Sequence, residues 1–303
     1  MLFYDLTSIL SYSKKLLLAE KGYNPQKEKE KQVKIALSFS TTSWLPQTID
    51  VFYGSIKEIK VLKYFVERFP NKDIGFVMDR GFTSYKELLK LREEKIHYIV
   101  ALKKNSALIP LEFEMSGVFE YRKRNIAFCK IKNESYGFLY LFLDPELRAV
   151  VENKFLGKVR LGVLSMDDFC ERRRLFGVFG LLSDLDVEAW VVFEQYKARE
   201  EVEQAFDFMK NDLEADRTCL GCAEAVRGYF VVVFLAMRLY FRVLQRLRER
   251  GLVGVVSVRE VLLLLSKMRM VVEAGGREYL CVLPKKTEEI LEVFKDLVSK
   301  PMG

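Results

Sequence analysis

The sequence predicts an α/β protein with a mixed sheet and helical crossovers, and three observations predict that class. In the first hundred residues, short apolar runs alternate with segments of helical periodicity, in the order three strands, helix, strand, helix, strand. Over residues 103–182, short β-like runs recur between clusters of basic residues. From about residue 186 onward, the spacing of the apolar residues becomes helical.

The first part of the chain contains the predicted sheet. Strands are expected at 2–9, 33–39, 45–52, 74–79 and 97–101. A polar, turn-rich loop separates the first two strands at 21–31. One helix is predicted over 56–68, and a second is predicted from Thr83 or Ser84 to Leu91. The inward-facing residues of the first helix are expected to be Ile59, Leu62, Phe65 and Val66.

The rest of the chain adds short strands and then helices. Two short strands are predicted at 126–131 and 137–143, and a third at 278–283. Helices are predicted over 187–212, 222–249, 257–272 and 287–298. The elements divide the chain into a core formed by 1–102 and 184–250, a β-rich insertion at 103–183, and a helical C-terminal region at 251–303.

Composition points to an acidic partner. The chain has 303 residues, half of them hydrophobic, a formal net charge of +7 and a pI of about 9.0, which favours nucleic acid as the partner. The first residues lack the features of a signal peptide, and the longest apolar stretch, 229–237, is too short to cross a bilayer. We therefore expect a cytoplasmic protein without membrane contact.

Cysteine and histidine usage excludes several site types. The five cysteines include one Cys-x2-Cys pair, Cys219 and Cys222, but His97 is the only histidine and lies in a predicted strand. A structural zinc site would need two further ligands near that pair. Catalysis by histidine is equally disfavoured, because strand residues of this kind are more often structural.

Four polar residues share one face of a predicted helix. Tyr196, Arg199, Glu203 and Lys210 are separated by three, four and seven residues, which places them within about 60° of one another on a helix. On a phosphate backbone, the glutamate would bind a metal and the cations would hold phosphates. The alternative is a solvated helix face in which Arg199 and Glu203 form an ordinary i,i+4 ion pair.

Two aspartates in predicted strands add to this set. Asp5 lies within the first strand and Asp79 ends the fourth, and a carboxylate in either position costs free energy unless it is paired or binds a metal. If these strands are neighbours, both aspartates and Glu203 converge. Three carboxylates without histidine or cysteine suit two Mg²⁺ or Mn²⁺ ions. The alternatives are a turn former before Arg80 and a strand-end acid near the terminus.

These residues give the chain a resemblance to a known family. It resembles the catalytic domain of insertion-sequence transposases of the DDE type, in the group whose third acid lies in a Tyr-x2-Arg-x3-Glu-x6-Lys signature. The four signature residues match in full, while 3–8 (Phe-Tyr-Asp-Leu-Thr-Ser) and 77–82 (Val-Met-Asp-Arg-Gly-Phe) resemble the family's two aspartate strands. The resemblance spans roughly residues 1–250.

The resemblance implies a ribonuclease-H-like fold with a β-rich insertion before the third acid. It also implies that Asp5, Asp79 and Glu203 bind a metal pair, that Arg199, Lys210 and Arg80 contact DNA phosphates, and that Tyr196 places terminal nucleotides. Further DNA-backbone contacts are expected from Lys103, Lys104 and 172–174 (Arg-Arg-Arg).

The implied activity is metal-dependent DNA cleavage and strand transfer at insertion-sequence ends, by a homodimer bound to double-stranded DNA. Family members carry a DNA-recognition region ahead of the first aspartate, which is residue 5 here. We therefore expect a chain without that region. An inactive or domesticated DNA-binding remnant and a metal-dependent nuclease without strand transfer are the alternatives.

Overall fold

A mixed β-sheet flanked by helices forms the centre of the molecule. The computed structural model describes residues 1–22, 30–68, 74–82, 84–272, 276, 278–280 and 284–294. The strands are β1 (Leu2–Ser11), β2 (Gln32–Ser40), β3 (Pro46–Tyr53), β4 (Gly75–Met78), β5 (His97–Ala101), β6 (Gly117–Tyr121), β7 (Arg124–Asn133), β8 (Gly137–Leu143), β9 (Val178–Ser183), β10 (Arg217–Thr218), β11 (Met270–Val272) and β12 (Glu278–Leu280).

The strand order is that of a ribonuclease-H-like fold. The main sheet runs β3-β2-β1-β4-β5-β9-β8-β7-β6, with β10 beside β1, and β11 and β12 form a separate pair. β1, β2 and β3 are antiparallel, whereas β4 and β5 run parallel to β1. The predicted α/β class with a ribonuclease-H-like mixed sheet is thereby confirmed. Sequence periodicity placed the first five strands to within two residues at each end.

Helices cover both faces of this sheet. The α-helices in the described part of the chain are α1 (Glu58–Arg68), α2 (Tyr85–Glu93), α3 (Pro145–Arg160), α4 (Met166–Arg172), α5 (Ala189–Lys197), α6 (Arg199–Asp207), α7 (Ala223–Glu249), α8 (Val258–Leu265) and α9 (Lys285–Val293), of which α8 and α9 pack against the end of α7. One face packs with α5, α6 and α7 around Phe3, Val77 and Phe193. The opposite face packs with α1 and α2 around Tyr98 and Leu88. The sheet is therefore the middle of three layers.

The predicted β-rich insertion continues the central sheet. Strands β6 to β9 extend the sheet from β5 by antiparallel pairing. This segment also contains two helices, α3 and α4, which were not predicted from the sequence. Asp144 begins α3 as its N-cap, accepting hydrogen bonds from the backbone N–H groups of Glu146 (3.0 Å) and Leu147 (3.3 Å). The four-part division of the chain stays a prediction.

Two predicted helices differ from the structure. The helix expected over 187–212 is two α-helices, α5 and α6, joined at Ala198, followed by a π-helical turn, Phe208–Asp212. The helix expected over 257–272 ends at Leu265, because Met270–Val272 pairs with β12 instead. Backbone pairing with the nearby strand β12 outweighs helical preference at this point.

Other predictions fall partly outside the described residues. These are most of the loop at 21–31, the side chains of Ile59 and Phe65, the position of Thr83, and the ends of the elements predicted at 278–283 and 287–298. Ser84 is the N-cap residue of α2, without a side-chain hydrogen bond. Within the described part of the chain, none of the helices combines the length and apolarity that a membrane span requires.

Candidate active site

The two aspartates lie at matching positions of neighbouring parallel strands. β1 and β4 pair in register, Leu2 with Phe76 and Phe3 with Val77. Asp5 lies two residues after Phe3, and Asp79 lies two residues after Val77. Neighbouring strands are about 4.8 Å apart, so the two carboxylates start from adjacent backbone positions. The condition of the prediction, that these two strands are neighbours, is therefore met.

The sheet opens immediately beside Asp5. The ladder between β1 and β4 stops at Phe3, and β10 takes the same edge of β1 only at Leu10 and Ser11. The Oδ1 atom of Asp5 accepts a hydrogen bond from the backbone N–H of Leu6 at 2.8 Å. Asp5 thus occupies a half-buried position on an edge of β1 between two short pairings.

Helix α6 brings Glu203 towards this point. Phe3 and Val77 belong to the core shared with α5, α6 and α7. Side chains two residues apart on a strand share a face, so Asp5 and Asp79 point towards the same helices. Helix α6 buries Val202, Ala205 and Phe206 against the sheet and leaves Glu203 at its exposed edge.

Arg199 joins Asp79 and Glu203. Its Nη1 atom lies 3.1 Å from Oδ1 of Asp79, and its Nη2 and Nε atoms lie 2.6 and 2.7 Å from Oε1 of Glu203. Nη1 also donates to the Tyr196 hydroxyl at 3.3 Å, and that hydroxyl donates to Asp79 at 3.5 Å. The surface-pair alternative therefore describes only part of the contacts of Arg199.

The pKa values of this cluster follow from burial and charge. Burial acts to lower the pKa of the Arg199 guanidinium, but its interactions with Asp79, Tyr196 and Glu203 outweigh that effect and raise the pKa. Burial raises the pKa of the Tyr196 hydroxyl, and the charge of Asp79 raises it further. The guanidinium is therefore charged and the phenol neutral at ordinary pH.

Lys210 lies apart from this cluster. It belongs to the π-helical turn, in which the backbone N–H of Leu213 donates to the carbonyl of Phe208 at 3.1 Å. Burial lowers the pKa of Lys210, and the charges of Asp216, Asp207 and Asp5 oppose that shift. Lys210 is thus within electrostatic reach of Asp5, while Arg199 contacts Asp79.

A cleft of about 610 Å³ opens beside the cluster. Its described lining includes Asp79, Tyr196, Arg199 and Glu203 but neither Asp5 nor Lys210. The predicted cations Arg80 and Lys104 line the same cleft and are exposed. The cleft is also lined by residues that were not predicted to belong to the site, namely Arg124, Asp144, Glu146 and Lys197. The sequence signal for Asp144 and Glu146 was the pair Asp144-Pro145, which is typical of the start of a helix.

The remaining predicted DNA contacts have other surroundings. Lys103 is exposed next to Lys104 but does not line the described cleft. In the Arg172–Arg174 cluster, Arg173 pairs with Glu152 at 3.0 Å and Arg174 donates to the carbonyl of Leu111. Arg173 and Arg174 thus connect the end of α4 to other parts of the insertion. None of the three arginines lines the described cleft.

The other glutamates of α6 have structural partners. Glu200 pairs with Arg122 at 2.8 Å, and Glu201 pairs with Arg248 of α7 at 2.9 Å. Both contacts fix the position of α6 against neighbouring elements. Of the three glutamates on this helix, Glu203 is the one that shares a partner with Asp79.

The donor atoms suit a hard divalent cation. Asp5, Asp79 and Glu203 offer carboxylate oxygens alone, the ligands that Mg²⁺ and Mn²⁺ prefer. Among the described residues, no three acids, histidines or cysteines are grouped closely enough to hold a metal ion. At the acidic site, the Arg199 guanidinium lies between Asp79 and Glu203. Cys219 and Cys222 are exposed and have free thiols.

Comparison with known proteins identifies the family. A family model for the transposase DDE domain matches residues 6–239. The chain belongs to the transposase DDE domain family. The match includes Asp79 and all four signature residues, and Asp5 lies immediately before its first residue. The DDE transposase catalytic domain predicted from the signature is thereby confirmed, and transposases of this type generally use divalent metal ions.

A solved structure was also found among the matches. The piggyBac transposase in a synaptic complex with hairpin DNA matches with a TM-score of 0.45 and 13% identity. The match covers 100% of this chain and 54% of the other, so the chain spans about half the length of that transposase. The search of curated proteins returned no match.

Proposed function

We propose that the chain catalyses metal-dependent DNA cleavage and strand transfer at insertion-sequence ends, as a DDE transposase. The observation that supports the proposal is the arrangement of β1, β4 and α6 around Asp79. β1 and β4 offer Asp5 and Asp79 from matching positions, and α6 offers Glu203, which shares the Arg199 guanidinium with Asp79. The family membership supports the same chemistry.

Asp5, Asp79 and Glu203 are the proposed ligands of two Mg²⁺ or Mn²⁺ ions. When bound, such ions supply charge stabilisation at the attacking and leaving oxygens of a phosphodiester. The protein contributes position, because β1, β4 and α6 are each fixed by buried side chains. In the proposed reaction, water attacks a phosphodiester at the element end and frees a 3′-hydroxyl, which then attacks target DNA by the same in-line displacement.

The cations of the site are the proposed phosphate contacts. Arg80 and Lys104 are exposed along the cleft, and their charges would hold the DNA backbone on either side of the scissile bond. Arg199 and Lys210 would act closer to the acids. Tyr196 would place terminal nucleotides, since its hydroxyl is fixed by Arg199 and Asp79.

The proposed partners are double-stranded DNA at the element ends and at the target, and a second copy of the chain in the DNA complex. The net charge of +7 supports DNA as the partner. A cytoplasmic location belongs to the same proposal. Lys103 is a further proposed contact outside the cleft.

The substitution Glu203→Gln tests the proposal. It keeps the size of the side chain and removes a carboxylate, and we expect metal-dependent cleavage of an element-end duplex to fall by at least about 10²–10³-fold. The measurement is single-turnover cleavage of labelled DNA, with the fold checked by circular dichroism. Glu200→Gln is the matched control, because Glu200 lies on the same helix and pairs with Arg122 instead.

Two results would point to the alternatives. Cleavage by the wild-type chain without joining to target DNA would identify a nuclease. DNA binding without cleavage at any concentration of Mg²⁺ or Mn²⁺ would identify a binding remnant. Undiminished cleavage by the Glu203→Gln variant would remove Glu203 from the site.

A further inference from the structure

We propose that Arg199 is a positioning residue that couples cation binding to DNA binding at the acidic site. Without DNA, its guanidinium engages oxygens of Asp79 and Glu203, two of the proposed cation ligands. A DNA phosphate then offers Arg199 another partner and frees the carboxylates for the cation. The inference rests on the proposed function, and it adds a coupling between the two ligands of that function.

The first support is the contact geometry of Arg199. All three guanidinium nitrogens are engaged, with Nη1 at Asp79, and Nε and Nη2 at Glu203. The two carboxylates thereby receive one positive charge between them. Because the Arg199 side chain is only 32% exposed, water offers little replacement for those contacts.

The second support is that a cation and Arg199 compete for the same carboxylates. The oxygens that accept from Arg199, Oδ1 of Asp79 and Oε1 of Glu203, belong to two of the three proposed cation ligands, and the guanidinium charge beside them would repel a cation. A guanidinium also fits a phosphate by two parallel hydrogen bonds, as it fits a carboxylate. One side chain therefore has two alternative sets of partners, which are carboxylates without DNA and phosphate with it.

The consequence is a reciprocal coupling. If phosphate draws Arg199 from the carboxylates, DNA raises the affinity for the cation, and the cation must raise the affinity for DNA by the same factor. Such couplings typically amount to roughly 5- to 150-fold. A residue that only supported the carboxylates would have the opposite effect, because its removal would weaken cation binding.

Arg124 provides a matched comparison in the same cleft. It also lines the cleft and carries two acidic partners, Asp144 at 3.1 Å and Glu146 at 2.8 Å. Those partners lie at the start of α3 rather than among the three proposed ligands. The substitution Arg124→Gln therefore removes the same charge from the same cleft without touching Asp79 or Glu203.

The experiment measures Mn²⁺ affinity by calorimetry, without DNA, for the wild type and for Arg199→Gln, Arg199→Lys and Arg124→Gln. We expect about tenfold tighter Mn²⁺ binding by Arg199→Gln. Arg199→Lys keeps a charge without the planar fork and should show a smaller gain. Arg124→Gln should match the wild type. Thermal unfolding identifies any variant that does not fold, and Arg199→Lys then carries the test.

Equal or weaker Mn²⁺ binding by a folded Arg199 variant would overturn the inference and leave the proposed function standing. No Mn²⁺ binding by any of the four proteins, either without DNA or with it, would overturn both. A second arm measures the affinity for a labelled DNA duplex at fixed ionic strength, with and without Mn²⁺. The gain in affinity with Mn²⁺ should be large in the wild type and in Arg124→Gln, and smaller in Arg199→Gln, where only the direct attraction between the bound ions and phosphate remains. An equal gain in Arg199→Gln would overturn the coupling.

Discussion

The two ends of the Tyr-x2-Arg-x3-Glu-x6-Lys signature have different surroundings. At one end, Tyr196, Arg199 and Glu203 form a hydrogen-bonded cluster with Asp79 and line the cleft. At the other end, Lys210 lies in a π-helical turn, buried enough to lower its pKa and within electrostatic reach of Asp5.

The difference follows from two local breaks in the helix. Ala198 separates α5 from α6, yet its backbone stays close to helical, so Tyr196 and Arg199 still meet. The π-helical turn changes the direction of the side chains that follow Asp207. Arg199 consequently contacts Asp79 directly, whereas Lys210 acts on Asp5 only through its charge.

The largest expected effect concerns the two aspartates themselves. Asp5→Asn and Asp79→Asn should each reduce single-turnover DNA cleavage by at least about 10²-fold if both ends of the signature serve one site. Asp5 and Asp79 have different surroundings. Equal losses of cleavage in the two variants would therefore show that both carboxylates serve the same reaction. Full cleavage by Asp5→Asn would break the comparison, because the end near Lys210 would then lie outside the site.

The packing of the π-helical turn should have the next largest effect. Met209 is fully buried next to Lys210, so Met209→Ala should lower the free energy of unfolding by about 2–5 kcal/mol. Urea unfolding measures the loss. Met166→Ala is the control, because Met166 is 53% exposed and its substitution should change stability by less than about 0.5 kcal/mol. Equal losses in the two variants would contradict a packed turn.

The smallest effect is the pH dependence that Lys210 contributes. Burial lowers the pKa of Lys210 in the folded chain, so the unfolded chain binds this proton more tightly. The burial therefore costs stability below the lowered pKa, and the cost disappears as pH rises towards the ordinary lysine value. Lys210→Met should be slightly more stable than the wild type near pH 7, with the advantage shrinking by about pH 10.

Urea unfolding of the wild type and of Lys210→Met at both pH values measures that difference. If the stability advantage of Lys210→Met stayed constant with pH, burial would not lower the pKa of Lys210. A less stable variant at neutral pH would mean that the charges of Asp216, Asp207 and Asp5 outweigh its burial.

The strands around the site were predictable because their patterns are local. β5 was predicted from a short apolar run and β2 from an alternating pattern. That the strands of Asp5 and Asp79 are neighbours was a condition of the prediction, and the pairing of β1 with β4 meets it. Helix α3 was missed because its apolar residues do not form a buried face; none of its side chains is buried. The sequence signal that remained was the Asp144-Pro145 helix start.

The contacts of Arg199 were beyond sequence reasoning. The spacing of Arg199 and Glu203 predicted an i,i+4 pair, and that pair is present. The additional contact with Asp79 spans more than a hundred residues and depends on how α6 lies over β4. The π-helical turn is similarly set by tertiary packing, in which Phe208 stacks on Tyr240 at a centroid distance of 3.8 Å.

The pairing of β10 with β1 has a consequence for biosynthesis. β1 leaves the ribosome about two hundred residues before β10, so Leu10 and Ser11 gain their neighbours only when Arg217 and Thr218 have been made. The face that carries Phe3 and Val77 is covered by helices that end at Glu249. Contacts of such long sequence separation form slowly. The acidic site is therefore completed late in synthesis, and a nascent chain that stops before α7 leaves a broad apolar face open to aggregation.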